Sequence, residues 1–459
     1  MKPALVFTLS LYLVAHPALT EELSLPGLPD GLDGGISSDP LPQLPTFDNN
    51  SSLHDPQPET FSPWHSEGFL EWRGGLRLQD DPNASTGSIN ELRLQTAVDY
   101  SGNLVTARVT ADLQGDALAD HPNHIHLNRG EGYIDLREAW LQLPIGHHLD
   151  AKLGRQILTW GVGDQLFIND LFPKDWNSFF IGRDQEYLKA PSDALKLAFY
   201  FDAINIDLVW TPEFDPDRYI DGQRISYFNA MTGQPAGDEN PIMPHPPTGD
   251  EWALRLYKTH RGIEYAAYGY RGYWKSPNSF DPERNQPDFA RLNAWGASMR
   301  SPLAGGIISA EAGYYDSVSD SSGDNPFIAN SELRLLLAYE RELASNLTGS
   351  LQWYLEQLQD YNPYRQSQPA GNTYRDKDRQ LVTSRLTWLR MNQNLEWSLF
   401  IFYSPTDQDW FAQPKVSYKY SDHLLLTAGF NLFAGEKPST FFGQFEDNSN
   451  AYAGIRYSF

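Results

Sequence analysis

The sequence of 459 residues has no cysteine. That absence excludes a disulfide scaffold, a thiolate metal site and a covalently attached haem. Positive charge is scarce as well, because 59 Asp and Glu outnumber 35 Lys and Arg and give a formal net charge of −24 at pH 7. A chain this acidic repels the phosphate backbone of DNA and RNA, so we predict no nucleic-acid partner.

Long apolar runs are also missing. Beyond the N-terminus no stretch approaches the ~20 consecutive apolar residues that a transmembrane helix needs, and the mean hydropathy is −0.50. Any part of this chain that crosses a membrane must therefore cross it as strands. Aromatic residues are abundant instead, at 13% of the chain. Many aromatic and acidic residues without cysteine are typical of an exported bacterial β-protein.

The first 20 residues have the layout of a secretory signal peptide. An apolar run from Ala4 to Ala15 follows the basic Lys2 and ends shortly before an acidic pair. We predict cleavage near Ala18 or Thr20, because the run is too short to span a bilayer comfortably as an anchor.

Residues 21–64 carry eight acidic residues, many prolines and no Lys or Arg. A segment of this composition cannot bury enough apolar surface to offset the entropy that it loses on ordering. We predict an acidic, proline-rich disordered segment in the periplasm. A plug for a lumen and a docking segment for a periplasmic partner are the alternatives.

From residue 65 to 459, apolar and polar residues alternate in many short segments. Segment 91–100 places Leu and Val on one face and charged residues on the other, and segment 105–114 repeats the split after a tight turn at 101–103. A period of two predicts strands with one apolar and one polar face. Alternation alone fits a soluble sandwich as well as a barrel.

The connections between these segments discriminate between the two folds. Short turns near 101–103, 144–148, 258–262, 301–305, 342–346, 391–394 and 421–423 alternate with mostly long connections near 115–131, 161–189, 212–250, 275–289, 317–329, 359–377 and 435–447. One-sided loop length is typical of outer-membrane barrels. The sequence therefore predicts an all-β fold, a transmembrane antiparallel β-barrel of about 18 strands, with 16 as the alternative count. A ~22-stranded transporter with a plug would need a longer chain.

Two stretches resemble known outer-membrane proteins. Residues 451–459 alternate and end in Phe459, and so resemble the C-terminal signature that the barrel-assembly machinery reads. A second pattern resembles a broad group of porin-like proteins that includes relatives of the alginate-export porin. It consists of Leu136-Arg137-Glu138-Ala139-Trp140, Leu153-Gly154-Arg155-Gln156-Ile157, Trp160-Gly161, Asn169-Asp170 and Pro173-Lys174-Asp175.

This resemblance covers residues 130–190 and departs from the usual form at Leu171-Phe172-Pro173, where an Asn normally precedes the proline. It implies a substrate or solute channel in the bacterial outer membrane. Its partners would be membrane lipid, a small-molecule solute and, through Phe459, the barrel-assembly machinery.

If the apolar faces meet lipid, the opposite faces line a water-filled lumen. The basic residues predicted to line this pore are Arg93, Arg108, Arg155, Arg255, Arg334, Arg385, Lys415 and Arg456. They form either a ladder for anionic solutes or a set of ion pairs that brace the wall, and the sequence favours neither.

The connection 161–189 carries five large aromatic residues beside several acids. Because exposed aromatics on an external loop promote aggregation, we expect the segment to fold inward and narrow the pore. Asp164, Asp170, Asp175 and Trp176 are the predicted constriction residues. A lid packed on neighbouring loops is the alternative.

The sequence predicts no cofactor and no catalytic residue, since no local signature of a barrel hydrolase is present. His121, His124 and His126 have ligand-like spacing, but without cysteine or patterned carboxylates nearby we predict no metal site. The predicted function is passive diffusion of small hydrophilic solutes, anionic ones among them. An outer-membrane enzyme and the barrel of a larger export or electron-transfer complex are the alternatives, and the oligomeric state is left open.

Overall fold

Eighteen strands of this protein form one closed antiparallel sheet. The computed structural model describes residues 62–119, 125–230, 232–369 and 374–459. Each strand of the sheet pairs with its neighbours in the chain, and the first strand pairs with the last. The predicted barrel of 18 strands is thus confirmed, and the alternative count of 16 is wrong.

The strands of the barrel are β1 (Trp64–Arg77), β2 (Gly87–Ser101), β3 (Thr106–Asp116), β4 (Ile134–Ile145), β5 (Leu149–Ile157), β6 (Pro191–Tyr200), β7 (Asn205–Thr211), β10 (Glu251–His260), β11 (Ile263–Tyr273), β14 (Arg291–Leu303), β15 (Gly306–Ser317), β16 (Glu332–Ala344), β17 (Leu347–Leu358), β18 (Asp378–Arg390), β19 (Leu395–Ser404), β20 (Asp409–Lys419), β21 (Leu424–Gly435) and β22 (Asn450–Ser458).

Short elements occupy the connections. These are the hairpin of β8 (Tyr227–Asn229) and β9 (Gln234–Ala236), the hairpin of β12 (Ser279–Asp281) and β13 (Gln286–Asp288), helices α1 (Trp176–Ile181) and α2 (Tyr361–Ser367), and two 3-10 helices at Gln185–Leu188 and Gly443–Asn448. None of the helices in the described ranges is long and apolar enough to cross a membrane.

The C-terminal strand closes the ring. In the ladder of β1 and β22, Glu71 lies opposite Arg456, and the Phe459 amide donates to the Gly68 carbonyl at 2.9 Å. Closure pairs both edge strands, which would otherwise present unpaired backbone groups. The terminal alternation ending in Phe459 therefore forms the last rung of the barrel seam.

Connections are sorted by length between the two ends of the barrel. One end has tight turns, such as 261–262 and 304–305, while the other has connections as long as 158–190 and 212–250. Connection 405–408 is the short exception at the second end. Because outer-membrane barrels carry short periplasmic turns, we call the end with long connections the outer end.

The two faces of each strand have opposite character. On β2, Leu92 is 52% exposed, whereas Glu91 and Arg93 on the other face are 4% and 2% exposed. Large apolar side chains recur on the outside of the barrel, among them Trp72, Leu141 and Trp397. Such a surface is unfavourable in water by roughly 25 cal/mol per Å², so it requires a lipid environment.

The predicted signal peptide, residues 1–20, lies outside the described residues, and so does the predicted acidic segment up to residue 61. The first strand begins at Trp64, one residue before the predicted start of the barrel at 65.

Candidate pore constriction

The connection between β5 and β6, residues 158–190, runs inside the barrel, and we call it the inward segment. Its helix α1 begins after Asp175, whose carboxylate accepts a hydrogen bond from the Ser178 amide at 2.7 Å. The helix ends at Gly182 in the left-handed region, with φ 89°. A Cβ at this glycine would lie 2.3 Å from the Tyr452 ring, so only glycine fits this turn against β22.

The segment reaches the wall opposite its own strands. Asp164 receives two hydrogen bonds from Arg385 on β18, from Nε at 2.5 Å and from Nη2 at 3.0 Å. In the ring of 18 strands, β18 is nine strands from β5 in either direction. The inward segment therefore spans the full width of the lumen.

The neighbouring strand β17 holds the backbone at the same point. The Gln352 side chain donates to the Asp164 carbonyl at 2.9 Å, and its oxygen accepts from the Asp164 amide at 2.8 Å. A side-chain amide that pairs with a backbone amide replaces both hydrogen bonds that a buried backbone needs.

A third anchor lies on β15. Glu311 accepts hydrogen bonds from the Val162 amide at 2.9 Å, from the Asn169 amide at 2.8 Å and from Asn169 Nδ2 at 2.9 Å. The close approach requires a glycine on β14, because a Cβ at Gly296 would lie 1.8 Å from Asn169 Oδ1. The carboxylate thus fastens both ends of the bend from 162 to 169.

Aromatic packing holds the middle of the segment. The Phe180 ring centroid lies 5.5 Å from Phe411 on β20, 5.0 Å from Phe433 on β21 and 5.2 Å from Phe445. Phe179 also contacts Phe411, at 5.5 Å. Burial of a phenylalanine stabilises by roughly 1.5–3 kcal/mol, so this cluster fixes α1 against the wall.

The return path toward β6 is charged. Arg183 pairs with Glu91 on β2 at 2.5 Å, and Asp184 lies between Arg73 on β1, at 3.1 Å, and Arg456 on β22. Further along, the Tyr187 hydroxyl donates to an inward carboxylate on β3. Ion pairs with the neighbouring strands β22, β1 and β2 thus hold this part of the inward segment against the inner wall.

The external connection 212–250 packs on the outer side of α1. Asp217 accepts hydrogen bonds from the Lys174 amide at 2.8 Å and from Trp176 Nε1 at 3.1 Å. Arg218 pairs with Asp135 on β4 at 2.8 Å and with Asp175 at 3.3 Å. The outer connection and the inward segment are therefore fastened together at the start of α1.

Seven of the eight predicted basic residues lie on inward faces of strands, and the six arginines among them are all ion-paired. The pairs are Arg93 with Glu91 at 2.8 Å, Arg108 with Asp99 at 2.7 Å, Arg255 with Glu264 at 2.9 Å, Arg334 with Glu332 at 2.6 Å, Arg385 with Asp164 at 2.5 Å and Arg456 with Glu71 at 3.0 Å. These carboxylates cancel much of the field that an arginine ladder would need.

The structure does not bring Arg155 together with the other seven. In the ladders of β5, Arg155 shares a face with Leu153, which is 59% exposed on the outside of the barrel. Its guanidinium donates to Asp193 at 2.6 and 3.0 Å and to the Leu127 carbonyl at 3.0 Å. Arg155 therefore braces the outer rim, which differs from its predicted place in the pore. The alternation of β5 predicts this position, because residues two apart in a strand share a face and Leu153 is two residues from Arg155.

The predicted constriction residues all hold the segment in place. Asp170 accepts from Lys174 Nζ at 2.9 Å and from Thr159 at 2.7 Å, while Asp175 caps α1 and Trp176 binds the connection 212–250. The Asp164 side chain is 33% exposed, whereas residues Asp170 and Asp175 are 4% and 2% exposed. Asp164 is thus the acid in this set with the greatest access to a solute.

Two inward lysines have no salt bridge among the described residues. Lys152 on β5 lies 3.8 Å from the centroid of the Trp140 ring and directly opposite Lys196 in the strand register. Lys415 on β20 shares the inward face of Phe411. Lys196 itself pairs with Asp207 at 3.3 Å. No salt bridge in the described part of the chain therefore neutralises the charge of Lys152 or Lys415, and both charges can act on a solute in the lumen.

Several residues of this site escaped the sequence prediction. Arg73 follows the alternation of β1, and Glu311 that of β15, so both had a detectable signal. Arg218 lies in an acidic connection, and Gln352 acts through an uncharged amide. No local pattern marks either of them, because their partners are distant in the chain.

The histidines add no metal site in the described residues. His121 and His124 lie outside those residues, and His126 forms an isolated bridge with Glu131. Within the described ranges, no group of three or more His, Cys, Asp or Glu side chains is arranged to hold a metal ion.

Comparisons with known proteins show the fold of outer-membrane porins. No protein-family model matches the sequence, and no curated protein matches it. Among solved structures, Pseudomonas aeruginosa OccD3 is 9% identical, with 86% of this chain and 91% of that chain covered at a TM-score of 0.50. Acinetobacter baumannii OccAB3 is 11% identical, with 86% and 99% covered at a TM-score of 0.50.

A third structure, Pseudomonas aeruginosa OccK11, is 8% identical, with 86% and 95% covered at the same TM-score. The Pseudomonas structures are porins of the Occ/Opd group. The chain is therefore similar in fold to outer-membrane porins. At sequence identities this low, the similarity shows the fold alone.

Proposed function

We propose that this protein is an outer-membrane porin for passive diffusion of small hydrophilic solutes, and not an enzyme. The observation that carries the proposal is the crossing of the lumen by the inward segment, fastened at Asp164 to Arg385 on the opposite wall. A closed barrel with an apolar outside and a charged inside conducts water-soluble molecules, and a segment across the lumen limits their size.

The anchors favour a fixed constriction over a mobile lid. Glu311, Gln352 and Arg385 hold the segment at three strands, and the Phe180 cluster holds it at two more. A net contribution of about 1 kcal/mol per hydrogen bond, added over these contacts, makes spontaneous release of the whole segment rare. We therefore expect a small and steady conductance.

We further propose a weak preference for anionic solutes. Its support is Lys152 and Lys415, the two inward lysines without a salt bridge in the described part of the chain. The ion-paired arginines contribute little, since each positive charge has a carboxylate beside it. The inward Arg300 on β14 also has no salt bridge in the described part of the chain, and the inward Glu396 on β19, likewise without one, opposes these positive charges. The preference is therefore small.

The likeness to the alginate-export group is also a proposal. It rests on the sequence pattern at 130–190. Several residues of that pattern make contacts that hold the inward segment in place. Asn169 binds Glu311, Asp170 pairs with Lys174, and Asp175 caps α1. We infer that the pattern encodes the anchoring of the inward segment, which such proteins would share without sharing a solute.

Liposome swelling with neutral sugars of increasing size tests the proposed function. Purified protein in liposomes should admit a monosaccharide readily and exclude larger oligosaccharides. A matched preparation of heat-unfolded protein controls for leakage. Swelling no faster than in protein-free liposomes, for every sugar, would contradict the proposal.

A further inference from the structure

Two lysines face each other on the inner wall of the barrel. Lys152 on β5 and Lys196 on β6 stand directly opposite one another in the strand register, and both lie on the inward face. In the ladders of the barrel that the structure describes, no other two basic residues stand directly opposite each other. Like charges in this arrangement repel each other, so a bound anion would relieve a repulsion that is particular to this place.

One of the two ammonium groups has a carboxylate partner, and the other has none. Lys196 pairs with Asp207 on β7 at 3.3 Å. The Lys152 ammonium has neither a hydrogen bond nor a salt bridge among the described residues, and it lies 3.8 Å from the centroid of the Trp140 ring. Trp140 stands opposite Gly154, two residues from Lys152 toward the outer end. The Lys152 ammonium therefore points toward the outer end and remains available to an anion.

Carboxylate oxygens without a partner lie beside these lysines. Asp150 precedes Lys152 by two residues on the same inward face, and its Oδ2 accepts hydrogen bonds from Gln142 Nε2 and from the Tyr200 hydroxyl, both at 3.4 Å. The Oδ1 of Asp150 has no partner in the described part of the chain. Asp207 is 3% exposed, and its Oδ1 is buried without a hydrogen bond. Since buried carboxylate oxygens normally accept hydrogen bonds, both acids have an acceptor left for a hydroxyl group.

We propose that this part of the wall, Asp150 with Lys152 and Lys196, binds a phosphorylated monosaccharide, and we call it the lysine-pair site. The phosphate lies between the two lysines, and a sugar hydroxyl donates to Asp150 Oδ1. A phosphate monoester carries a charge of about −1.5 to −2 at pH 7, which suits two ammonium groups better than the single charge of a carboxylate does.

The spacing of the lysine-pair site favours a sugar phosphate over inorganic phosphate. The Cα atoms of Asp150 and Lys152 are roughly 7 Å apart, as in any extended strand, and the Lys152 ammonium points away from Asp150. Inorganic phosphate at the lysines is too small to reach Asp150 as well. A phosphorylated pyranose reaches both, because its ring separates the phosphate from the far hydroxyl groups.

The inference rests on the proposed function, because solutes must enter the lumen to reach this site, and it names a class of solute for the weak anion preference. A zwitterion is the rival ligand, with its carboxylate at Lys152 and its ammonium at Asp150. The second lysine directly opposite Lys152 favours the phosphate ester, since lysine binds phosphate as a point charge and a dianion can engage two of them.

Block of the single-channel current in planar bilayers tests the inference. Glucose 6-phosphate is added to both chambers at rising concentration, and its apparent dissociation constant is compared with those of inorganic phosphate, glucose and 4-aminobutyrate. The variants are Lys152→Gln, which removes the unpaired ammonium, and Asp150→Leu, which removes the hydroxyl acceptor. Each variant is referred to its own open-channel current, which also shows that its barrel has assembled.

The matched control is Lys415→Gln. Lys415 is also an inward lysine without a salt bridge in the described part of the chain, but Ser398 and Gly429 stand opposite it. Its strand, β20, is seven strands from β5 in the ring. The control therefore separates the lysine-pair site from a general effect of positive charge in the lumen.

We expect glucose 6-phosphate to block the wild type with about tenfold higher affinity than inorganic phosphate or glucose does. Lys152→Gln should weaken the binding of both phosphates by about fivefold or more. Asp150→Leu should abolish the preference for glucose 6-phosphate over inorganic phosphate, because only the sugar uses Asp150. Lys415→Gln should leave both affinities within about twofold of the wild type.

Equal block by glucose 6-phosphate and inorganic phosphate in the wild type would overturn the inference. So would equal losses of affinity in Lys152→Gln and Lys415→Gln, or a stronger block by 4-aminobutyrate than by glucose 6-phosphate. Channel steps that glucose 6-phosphate does not block would overturn the inference and leave the proposed function in place, whereas the absence of channel steps would overturn both.

Discussion

Asp164 and Arg385 form an ion pair across the lumen, although 221 positions separate them in the chain. Asp164 belongs to the inward segment that leaves β5, and Arg385 belongs to β18, half a turn around the barrel. The pair fixes where the constriction stands, because it ties the segment to the wall furthest from its own two ends. The conduction properties of the pore depend on this tie.

Loss of the tie should make the channel noisier. Arg385→Ala leaves the Asp164 carboxylate unpaired and removes a contact that contributes about 1 kcal/mol for a partly exposed pair. We expect a mean conductance up to about twofold higher, with more flicker between substates. Single-channel recording measures both. Arg255→Ala is the control, because it removes an inward arginine that pairs with Glu264 on the wall. An increase of the same size in both variants would assign the effect to lost charge instead of lost anchoring.

Selectivity should follow Lys152 and not Arg155. Lys152 has no salt bridge in the described part of the chain and faces the lumen, whereas Arg155 is held at the rim by Asp193. Under a salt gradient, Lys152→Gln should shift the reversal potential toward cation preference, and Arg155→Ala should leave it unchanged. A shift of the reversal potential with Arg155→Ala, and none with Lys152→Gln, would contradict this expectation and would mean that Arg155 lines the pore.

The aromatic cluster should carry much of the stability of the inward segment. Phe180 is 2% exposed and contacts the rings of Phe411 and Phe433 on the wall and of Phe445 in the connection between β21 and β22. Phe180→Ala should cost about 3–5 kcal/mol through lost burial and the cavity that it leaves. Limited proteolysis in detergent should then cut near α1 at a rate well above that of the wild type. Leu351→Ala on the lipid-facing surface is the control, and equal cutting of both variants would argue against the cluster.

The external connection 212–250 should lose stability as the pH rises from about 4 to about 6. Burial raises the pKa of Asp215 from its ordinary 3.8 to about 6, and Glu251 adds to the rise while Lys275 opposes it. The folded state therefore holds a proton that the unfolded chain releases, which stabilises folding below this window and not above it. Asp215→Asn should raise stability at pH 7.5 by up to about 3 kcal/mol and leave it nearly unchanged at pH 4.

Thermal unfolding in detergent at these two pH values checks this expectation. The asparagine keeps the oxygen that accepts the Asp193 amide at 3.1 Å, so the substitution changes charge with little change in shape. A variant less stable than the wild type at pH 7.5 would mean that the Asp215 carboxylate is stabilised by Lys275 instead of being strained by burial.

The barrel was predictable from the sequence because its signal is local and repeated. Alternation in segments such as 91–100 and 105–114 gives each strand its faces, and turns such as 101–103 give each pair its register. The same parity places Arg93 and Arg108 inward. It also places Arg155 outward, and the interpretation of Arg155 as pore-lining went against that parity.

The sequence does not predict which residues of the wall the inward segment contacts. Aromatic content between 161 and 189 indicated that the segment would fold inward, since Phe179 and Phe180 need cover. Their partners Phe411 and Phe433 lie more than 200 residues away, and no periodicity links positions at that distance. Gln352 illustrates the limit, because an uncharged amide on a strand gives no sign that it pairs with a backbone amide across a lumen.

Single-channel conductance in planar bilayers tests the central claim most directly. The wild type is compared with a variant in which residues 165–187 are replaced by a short Gly-Ser linker, after circular dichroism has shown that the variant remains a β-barrel. We predict small, discrete, ohmic steps for the wild type and steps several-fold larger for the variant, because the inward segment forms the narrowest part of the pore. Equal conductance for the two proteins, or no steps from either, would contradict the account.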